Sequence, residues 1–450
     1  MFKRKIYEKL KEWKNNDANE KALLIEGARR IGKSTIVEEF AKNEFKSYIL
    51  IDFNDASELV KNAFDKYLND LNTFFMILEA EYGIKLYENE SIIIFDEIQQ
   101  FPKARQSIKK LVKDGRYAYI ETGSLVSIKE NVKDITIPSE ERKIKMYPMD
   151  FEEFCWALEK ESLMKYIRLC YENLVPLDNG LHKEAMLLFR QYMLVGGMPK
   201  VIEKYLIDRN FADADREKRD ILQLYKNDIS KASRVYRNKV GSIFDQIPTF
   251  LSHHEKRVRL SSIGSNTSFP AYEETFFWLA DSMMTNECYN VADPNIGLSM
   301  NEERTFIKCY MGDTGLLVSH TFRENELADE ELYKQILFKK LSINEGMIYE
   351  NAIAQCLVAN GHKLFFYTQY NKEKKRNDIE IDFILSNGSK TKYKIYPIEV
   401  KSSKSYKTNS LGEFKKKFGK RIGKSYIIHP KNLSIDGDII CLPAYMTICI

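Results

Sequence analysis

Gly27-Ala28-Arg29-Arg30-Ile31-Gly32-Lys33-Ser34-Thr35 is a complete G-x-x-x-x-G-K-[ST] stretch. An apolar run, Ala22-Leu23-Leu24-Ile25, precedes it. Lys33 to Lys42 follows, with Ile36, Val37, Phe40 and Ala41 at the spacing of one helix face. A strand, a glycine turn and a helix start in this order aim backbone N–H groups and the positive end of a helix at one point, an arrangement that suits phosphate groups. The nine residues are expected to wrap a nucleotide's phosphates. Lys33 reaches the β- and γ-phosphates and the Ser34 hydroxyl takes Mg2+. ATP and Mg2+ are the expected ligands.

Working outward, such a loop needs an acidic partner. Ser91-Ile92-Ile93-Ile94-Phe95-Asp96-Glu97 supplies it. Its apolar residues in a row suit a central parallel strand buried on both faces. Asp96, at the strand's end, is expected to hold Mg2+ through a water, and Glu97 to act as general base on the attacking water. A further strand, Tyr117-Ala118-Tyr119-Ile120, ends at Thr122-Gly123-Ser124. Thr122 and Ser124 are candidates to touch the γ-phosphate or the attacking water; ordinary turn chemistry is the plainer reading of the same residues. Pro102 to Lys113 makes a crossover helix, and Tyr48 to Asp52 adds another strand. The whole reads as an α/β phosphate-loop domain with its site at the carboxyl edge of a parallel sheet.

Composition narrows the rest. The chain has 450 residues, enough for about two to four domains. Its 69 basic and 65 acidic residues leave a net charge of only +4, unlike a dedicated nucleic-acid binder. The seven cysteines are scattered without a C-x-x-C pair, and the six histidines make no H-E-x-x-H pattern. That argues against a disulfide framework and a cysteine-based zinc site. No apolar stretch is long enough to span a membrane and the basic start Met1-Phe2-Lys3-Arg4-Lys5 is followed by no apolar signal region, so a cytoplasmic protein without a membrane partner is expected. Oligomeric order is left open.

The polarity is uneven along the chain. From Asp150 to Lys231 apolar residues recur at helical spacing. Beyond, a helix near Val240 to Leu251, a helix–turn–helix pattern from Arg259 to Met284, and strands near Cys288 to Val291 and Phe306 to Met311 suggest a winged helix. Yet Leu260 to Glu303 contains no Lys or Arg and seven carboxylates: Glu273, Glu274, Asp281, Glu287, Asp293, Glu302 and Glu303. DNA binding rests on cations that neutralise phosphates. This acidic segment is therefore read as structural or protein-binding.

The C-terminal segment carries a second constellation. Glu350 lies on a helical stretch, Asp382 on Ile379 to Leu385, and Glu399 and Lys401 on Tyr396 to Lys401. Glu399 and Lys401, two apart on a strand, face one side. Asp382 and Glu399 are candidates to bind Mg2+, with Lys401 holding the attacking water or steadying developing charge. From Lys401 to Lys431 ten residues are Lys or Arg and only Glu413 is acidic, a basic surface to which nucleic acid is an expected partner. A solvated amphipathic helix around Phe414 and Phe418 is the bland alternative.

These motifs resemble the bacterial and archaeal AAA-type ATPases that join a P-loop domain to a C-terminal domain of unknown function. The likeness rests on G-A-R-R-I-G-K-S, I-I-I-F-D-E-I-Q, E-T-G-S at Glu121 to Ser124 and M-Y-P-M-D-F-E-E-F at Met146 to Phe154. It extends to L-V-G-G-M-P at Leu194 to Pro199, G-D-T-G-L-L at Gly312 to Leu317 and I-E-V-K-S-S at Ile398 to Ser403. The resemblance implies ATP binding and hydrolysis, and Gly197 and Pro199 in a helical lid near the nucleotide. It also implies a winged-helix-like middle and a restriction-endonuclease-like end. The family usually has Gly-Arg before its Pro-x-x-Phe strand where this chain has Glu141-Arg142, so an arginine finger among Arg142, Arg105 and Arg116 stays open.

The expected architecture is thus α/β: an AAA-type P-loop core over residues 1–149, a helical lid over 150–234, a winged-helix-like domain over 235–335 and an endonuclease-like α/β domain over 336–450. Two functions stay in view. One is an ATPase whose nucleotide state controls an endonuclease-like domain acting on nucleic acid. The other is a nucleotide-gated regulatory module that binds a protein partner through the acidic segment and keeps an inactive nuclease scaffold.

Overall fold

The computed structural model describes residues 1–123, 139–232, 236–253, 255–262, 268–324, 330–338, 345–371, 373, 375–387 and 394–450. The chain divides into two compact units: Met1–Tyr147 with Asp281–Met283, and Pro148–Ala280 with Met284–Ile450.

The first unit is built on five parallel strands: β1 (Ala22–Glu26), β2 (Ser47–Asp52), β3 (Ser91–Asp96), β4 (Ala118–Gly123) and β5 (Glu141–Lys145). Their order is β2-β3-β4-β1-β5. β1, β3 and β4 are buried along their whole length, as runs such as Leu23-Leu24-Ile25 and Ile92-Ile93-Ile94 require in the middle of a covered parallel sheet. The sequence Glu-Arg-Lys-Ile-Lys makes β5 unfit for such a position, and it forms an edge. The helix Lys33–Glu44 buries Ile36, Val37, Phe40 and Ala41 as its periodicity predicts. Aromatic rings fill the core, with Phe53 against Phe95 at 5.8 Å and Phe64 against Phe74 at 5.0 Å between centroids. Register sets the site: Asp52 lies opposite Asp96, and Ile25 opposite Thr122, all at the carboxyl edge.

The second unit combines helices, among them Phe151–Ala157, Asn179–Val195, Pro199–Asp208, Phe211–Lys231 and Arg237–Ser252, with an eight-stranded sheet. Its strands are β6 (Thr285–Val291), β7 (Glu302–Met311), β8 (Leu364–Asn371), β9 (Arg376–Asn387), β10 (Lys394–Val400), β11 (Ser425–His429), β12 (Ser434–Asp436) and β13 (Ile439–Pro443). The order is β12-β13-β11-β10-β9-β8-β6-β7. β8, β9 and β10 run antiparallel in turn, while β10, β11 and β13 are parallel.

The strands expected to form a wing, β6 and β7, do not make a module of their own. β6 pairs with β8, so segments 235–335 and 336–450 share one sheet. The physical reason is burial: Cys288 to Val291 and Ile307 to Met311 are wholly buried, and an isolated two-stranded ribbon cannot cover such runs. Ahead of them lie single 3-10 turns at Leu260–Ser262 and Phe269–Ala271 and the helix Glu273–Asp281.

The two charged stretches also meet within this unit. Arg421 pairs with Asp293, and Glu302 pairs with Lys363 at 2.7 Å. Within the basic segment Lys416 pairs with Glu413 at 2.6 Å and Lys415 with Asp438. Part of the acidic and basic character legible in the sequence is therefore neutralised inside the fold. No helix among the described residues is long and apolar enough to cross a membrane.

Candidate functional site

The loop after β1 turns on Gly32, whose φ of 89° is left-handed, and Lys33 opens the following helix. Gly27 has no room for a side chain: a Cβ there would lie 2.7 Å from the Met146 carbonyl oxygen. Ala28, Ile31 and Lys33 are buried, Arg29, Gly32 and Ser34 half-buried, and Arg30 and Thr35 exposed. Lys33 folds back so that Nζ donates to the carbonyl oxygens of Gly27 at 3.0 Å and Ala28 at 2.9 Å. Those oxygens satisfy the ammonium donors that phosphate oxygens would engage. Burial pushes the Lys33 ammonium down, opposed by the carboxylates of Glu97 and Asp96.

Asp96 joins three elements at the sheet edge. Its Oδ1 accepts a hydrogen bond from Ser34 Oγ at 2.9 Å and one from Thr122 Oγ1. Glu97 follows in a left-handed conformation, φ 52°, unusual for a residue with a side chain. Gln99 Nε2 donates to its Oε2. Lys33, Ser34, Asp96, Glu97 and Thr122 thus lie at one place, whereas Ser124 lies outside the described residues. Two contributors were given no role by the sequence reading. Arg4 donates to the Ile31 carbonyl at 2.9 Å and to the Tyr147 carbonyl at 2.7 Å, holding the loop from a distant helix start. Gln99 steadies Glu97. Only a tertiary contact identifies Arg4, whereas Gln99 acts locally, two residues beyond Glu97.

The arginines weighed as fingers all have partners in this unit. Arg105 is fully buried and makes two 2.9 Å bonds to Glu141. Arg116 engages Asp114 at 2.7 and 3.0 Å, and Arg142 pairs with Asp17.

In the second unit, Gly197 and Pro199 have structural surroundings. Pro199 takes the first turn of the helix Pro199–Asp208, where a missing N–H costs nothing. Gly197 donates its N–H to Asp313 Oδ2 at 2.6 Å, and a Cβ on it would lie 2.0 Å from the Met149 carbonyl oxygen. Asp313 caps the helix Thr314–Thr321 through the Leu316 N–H at 3.0 Å, and Gln355 donates to it at 3.2 Å.

The C-terminal constellation also converges. Asp382 Oδ2 accepts the Val400 N–H at 2.8 Å, and Lys401 Nζ lies 2.8 Å from Glu399 Oε2. Burial pushes the Glu399 carboxyl up, against the pull of Lys401. Glu350, on the buried helix Glu345–Ala359, is held by Lys256 at 2.7 Å, Lys308 at 3.2 Å and the Tyr310 hydroxyl at 2.5 Å. Burial alone would raise Glu350, yet Lys256 and Lys308 bring it down to about 2. The sequence reading missed both lysines, which lie far from the motif. Among the described residues no group of three or more His, Cys, Asp or Glu is set to hold a metal ion.

Comparison with known proteins defines the class. Residues 19–155 match the family model described as an AAA domain, and the N-terminal unit carries an AAA-type ATPase domain. Residues 186–327 match a domain of unknown function, DUF8612, and residues 345–446 another, DUF4143. No curated protein matches the chain. Among solved structures it is similar to a signal-transduction ATPase with a tetratricopeptide repeat sensor from Pyrococcus horikoshii: 14% identity, 77% of this chain and 47% of that one, TM-score 0.26. It is also similar to AMPPCP-bound DnaA from Aquifex aeolicus, with 13% identity, 75% and 93% coverage and a TM-score of 0.23. A third is the Hsp104–ADP complex of S. cerevisiae, with 13% identity, 78% and 52% coverage and a TM-score of 0.28. The chain spans about half the length of the first of these.

Proposed function

We propose that this chain is a Mg2+-dependent ATPase whose nucleotide state governs its C-terminal unit, and that this unit is a nuclease-like scaffold used for binding. The observation that carries the ATPase reading is the meeting of Ser34, Asp96 and Thr122 beside Lys33 at the carboxyl edge of the sheet. Ser34 and Asp96 would hold Mg2+, which supplies positive charge against the β- and γ-phosphate oxygens. Lys33 exchanges its two carbonyl acceptors for phosphate oxygens. Glu97 takes a proton from a water whose oxygen attacks the γ-phosphorus, and the bond to the bridging oxygen breaks to release ADP. Thr122 and Gln99 hold Asp96 and Glu97 in position for these roles. The test is ATP turnover by the purified full chain. Lys33→Ala is expected to abolish binding and turnover, and Glu97→Gln to keep ATP bound while losing about 100-fold or more in rate. Unchanged turnover in both would refute the assignment.

A second reading, an active endonuclease under nucleotide control, is favoured by the convergence of Asp382, Glu399 and Lys401 and by the basic stretch after Lys401. It predicts divalent-dependent cleavage of DNA or RNA that disappears in Asp382→Asn and Lys401→Ala. The binding reading predicts none, and instead retention of a partner that depends on ATP.

A further inference from the structure

The nuclease-like arrangement has a feature that its four motif residues do not announce. Both oxygens of Glu350 are engaged, Oε1 by Lys308 and Tyr310 and Oε2 by Lys256. Both oxygens of Asp382 are engaged too, Oδ2 by the Val400 N–H and Oδ1 by Lys308 at 3.6 Å. Glu399 has Lys401. Three carboxylates thus face three ammonium groups. The Lys308 side chain is completely buried, with its Nζ over the Phe366 ring at 5.2 Å and between Glu350 and Asp382.

We propose that Lys308, lying between Glu350 and Asp382, is the resident cation of this carboxylate centre, so that the centre takes no Mg2+ or Mn2+. The proposal rests on reading Glu350, Asp382, Glu399 and Lys401 as a nuclease-like set. A divalent ion needs carboxylate oxygens free to coordinate it; those of Glu350 and Asp382 already have partners, and the buried oxygens of Glu399, which accept no hydrogen bond among the described residues, face the Lys401 ammonium at 2.8 Å. A second cation a few ångströms from a buried ammonium is also repelled in a medium that screens poorly. The origin of the cations in the chain is telling. Lys256 and Lys308 come from the segment ahead of the Glu345–Ala359 helix, while the carboxylates come from that helix and from β9 and β10. The strand pair β6–β7, laid against β8, is what carries Lys308 to the centre. The segment whose sequence suggested a wing therefore supplies a built-in counter-ion.

The test is Mn2+ titration of the nucleotide-free full chain, followed by electron paramagnetic resonance of free Mn2+. In the wild type, Asp382→Asn and Glu399→Gln are expected to leave Mn2+ stoichiometry unchanged. Lys308→Ala is expected to gain one Mn2+, and Lys308→Ala with Asp382→Asn to lose it again. A wild-type Mn2+ site that vanishes on Asp382→Asn overturns the proposal, as does a folded Lys308→Ala chain that gains none. Should Lys308→Ala not fold, the wild-type comparison with Asp382→Asn decides alone. Nucleic-acid cleavage in the same samples reports separately on the endonuclease reading, and ATP turnover on the N-terminal unit.

Discussion

The carboxylate of Asp313 accepts the backbone N–H of Gly197 at 2.6 Å, tying two sequence motifs more than a hundred residues apart. The contact is possible only because Gly196, Gly197 and Gly315 have no side chains. A Cβ on Gly196 would meet Asp313 at 2.2 Å, and one on Gly315 would meet the Val195 carbonyl oxygen at 2.2 Å. Gly197→Ala is therefore expected to destabilise the second unit by about 3 kcal/mol, the upper range for overpacking. Asp313→Ala leaves the N–H groups of Gly197 and Leu316 without their acceptor and is expected to cost about 2–4 kcal/mol. Urea unfolding of each variant, followed by tryptophan fluorescence, measures both.

Arg105 and Glu141 form a buried bidentate pair, and Glu121 lies wholly buried close by. Burial first, and the charge of Glu141 second, push the Glu121 carboxyl well up. Arg105→Met removes the bidentate partner of the buried Glu141 and leaves it only the half-exposed Lys143 at 3.5 Å, and is expected to cost about 3–5 kcal/mol. The double variant Arg105→Met with Glu141→Met is expected to recover much of the loss. An arginine finger would behave differently: Arg105→Lys would keep stability and lose only turnover. Thermal unfolding and ATPase rates on the same samples separate the two.

Thr122 donates to Asp96, which also holds Ser34, so Thr122 acts through the acid and not by size alone. Thr122→Val, isosteric but without the hydroxyl, is expected to lower kcat about 10- to 100-fold while nucleotide affinity changes only a few-fold. Thr122→Ser is expected to restore most of the rate. Equal loss in both variants would assign Thr122 to packing alone.

Acid should weaken the second unit in a defined window. Burial lowers His320 and His429 from an ordinary value near 6.5 to about 4. Between these values the unfolded chain binds protons that the fold excludes, so stability falls as pH drops from 6.5 towards 4, by up to about 1.4 kcal/mol per unit for each group. Glu350, lowered to about 2, adds a further loss as pH falls below about 4.5. Urea midpoints measured across this range should slope downward with acid, and His320→Gln should flatten the upper part. A midpoint independent of pH between 6.5 and 4 would refute the assignment.

Much of the N-terminal site was legible because its chemistry is local. Gly32, Lys33 and Ser34 are consecutive, and Asp96 and Glu97 end one apolar strand; their spacing needs no knowledge of the fold. Arg4 was not legible, since it acts through contacts distant in the chain; Gln99 stood in the quoted motif, but its bond to Glu97 was not read from it. In the C-terminal region the four motif residues were found by spacing. Lys256 and Lys308 were not, because neither stands in the motif. The pairing of β6 with β8 was not legible for a related reason: strand order along the chain does not say which sheet a strand joins.

What the sequence determined by itself is the phosphate-loop domain, since a strand, a glycine turn and a helix start in immediate succession leave the backbone one arrangement. The tertiary structure alone decided the fate of the charges. Arg105, Asp293 and Arg421 look in the sequence like surface or site residues, and Lys308 stands in no motif. In the fold each meets an opposite charge distant in the chain; for Arg105 and Lys308, which are buried, a charge taken from water must find a partner or be neutralised. Which partner it finds depends on which strands lie side by side.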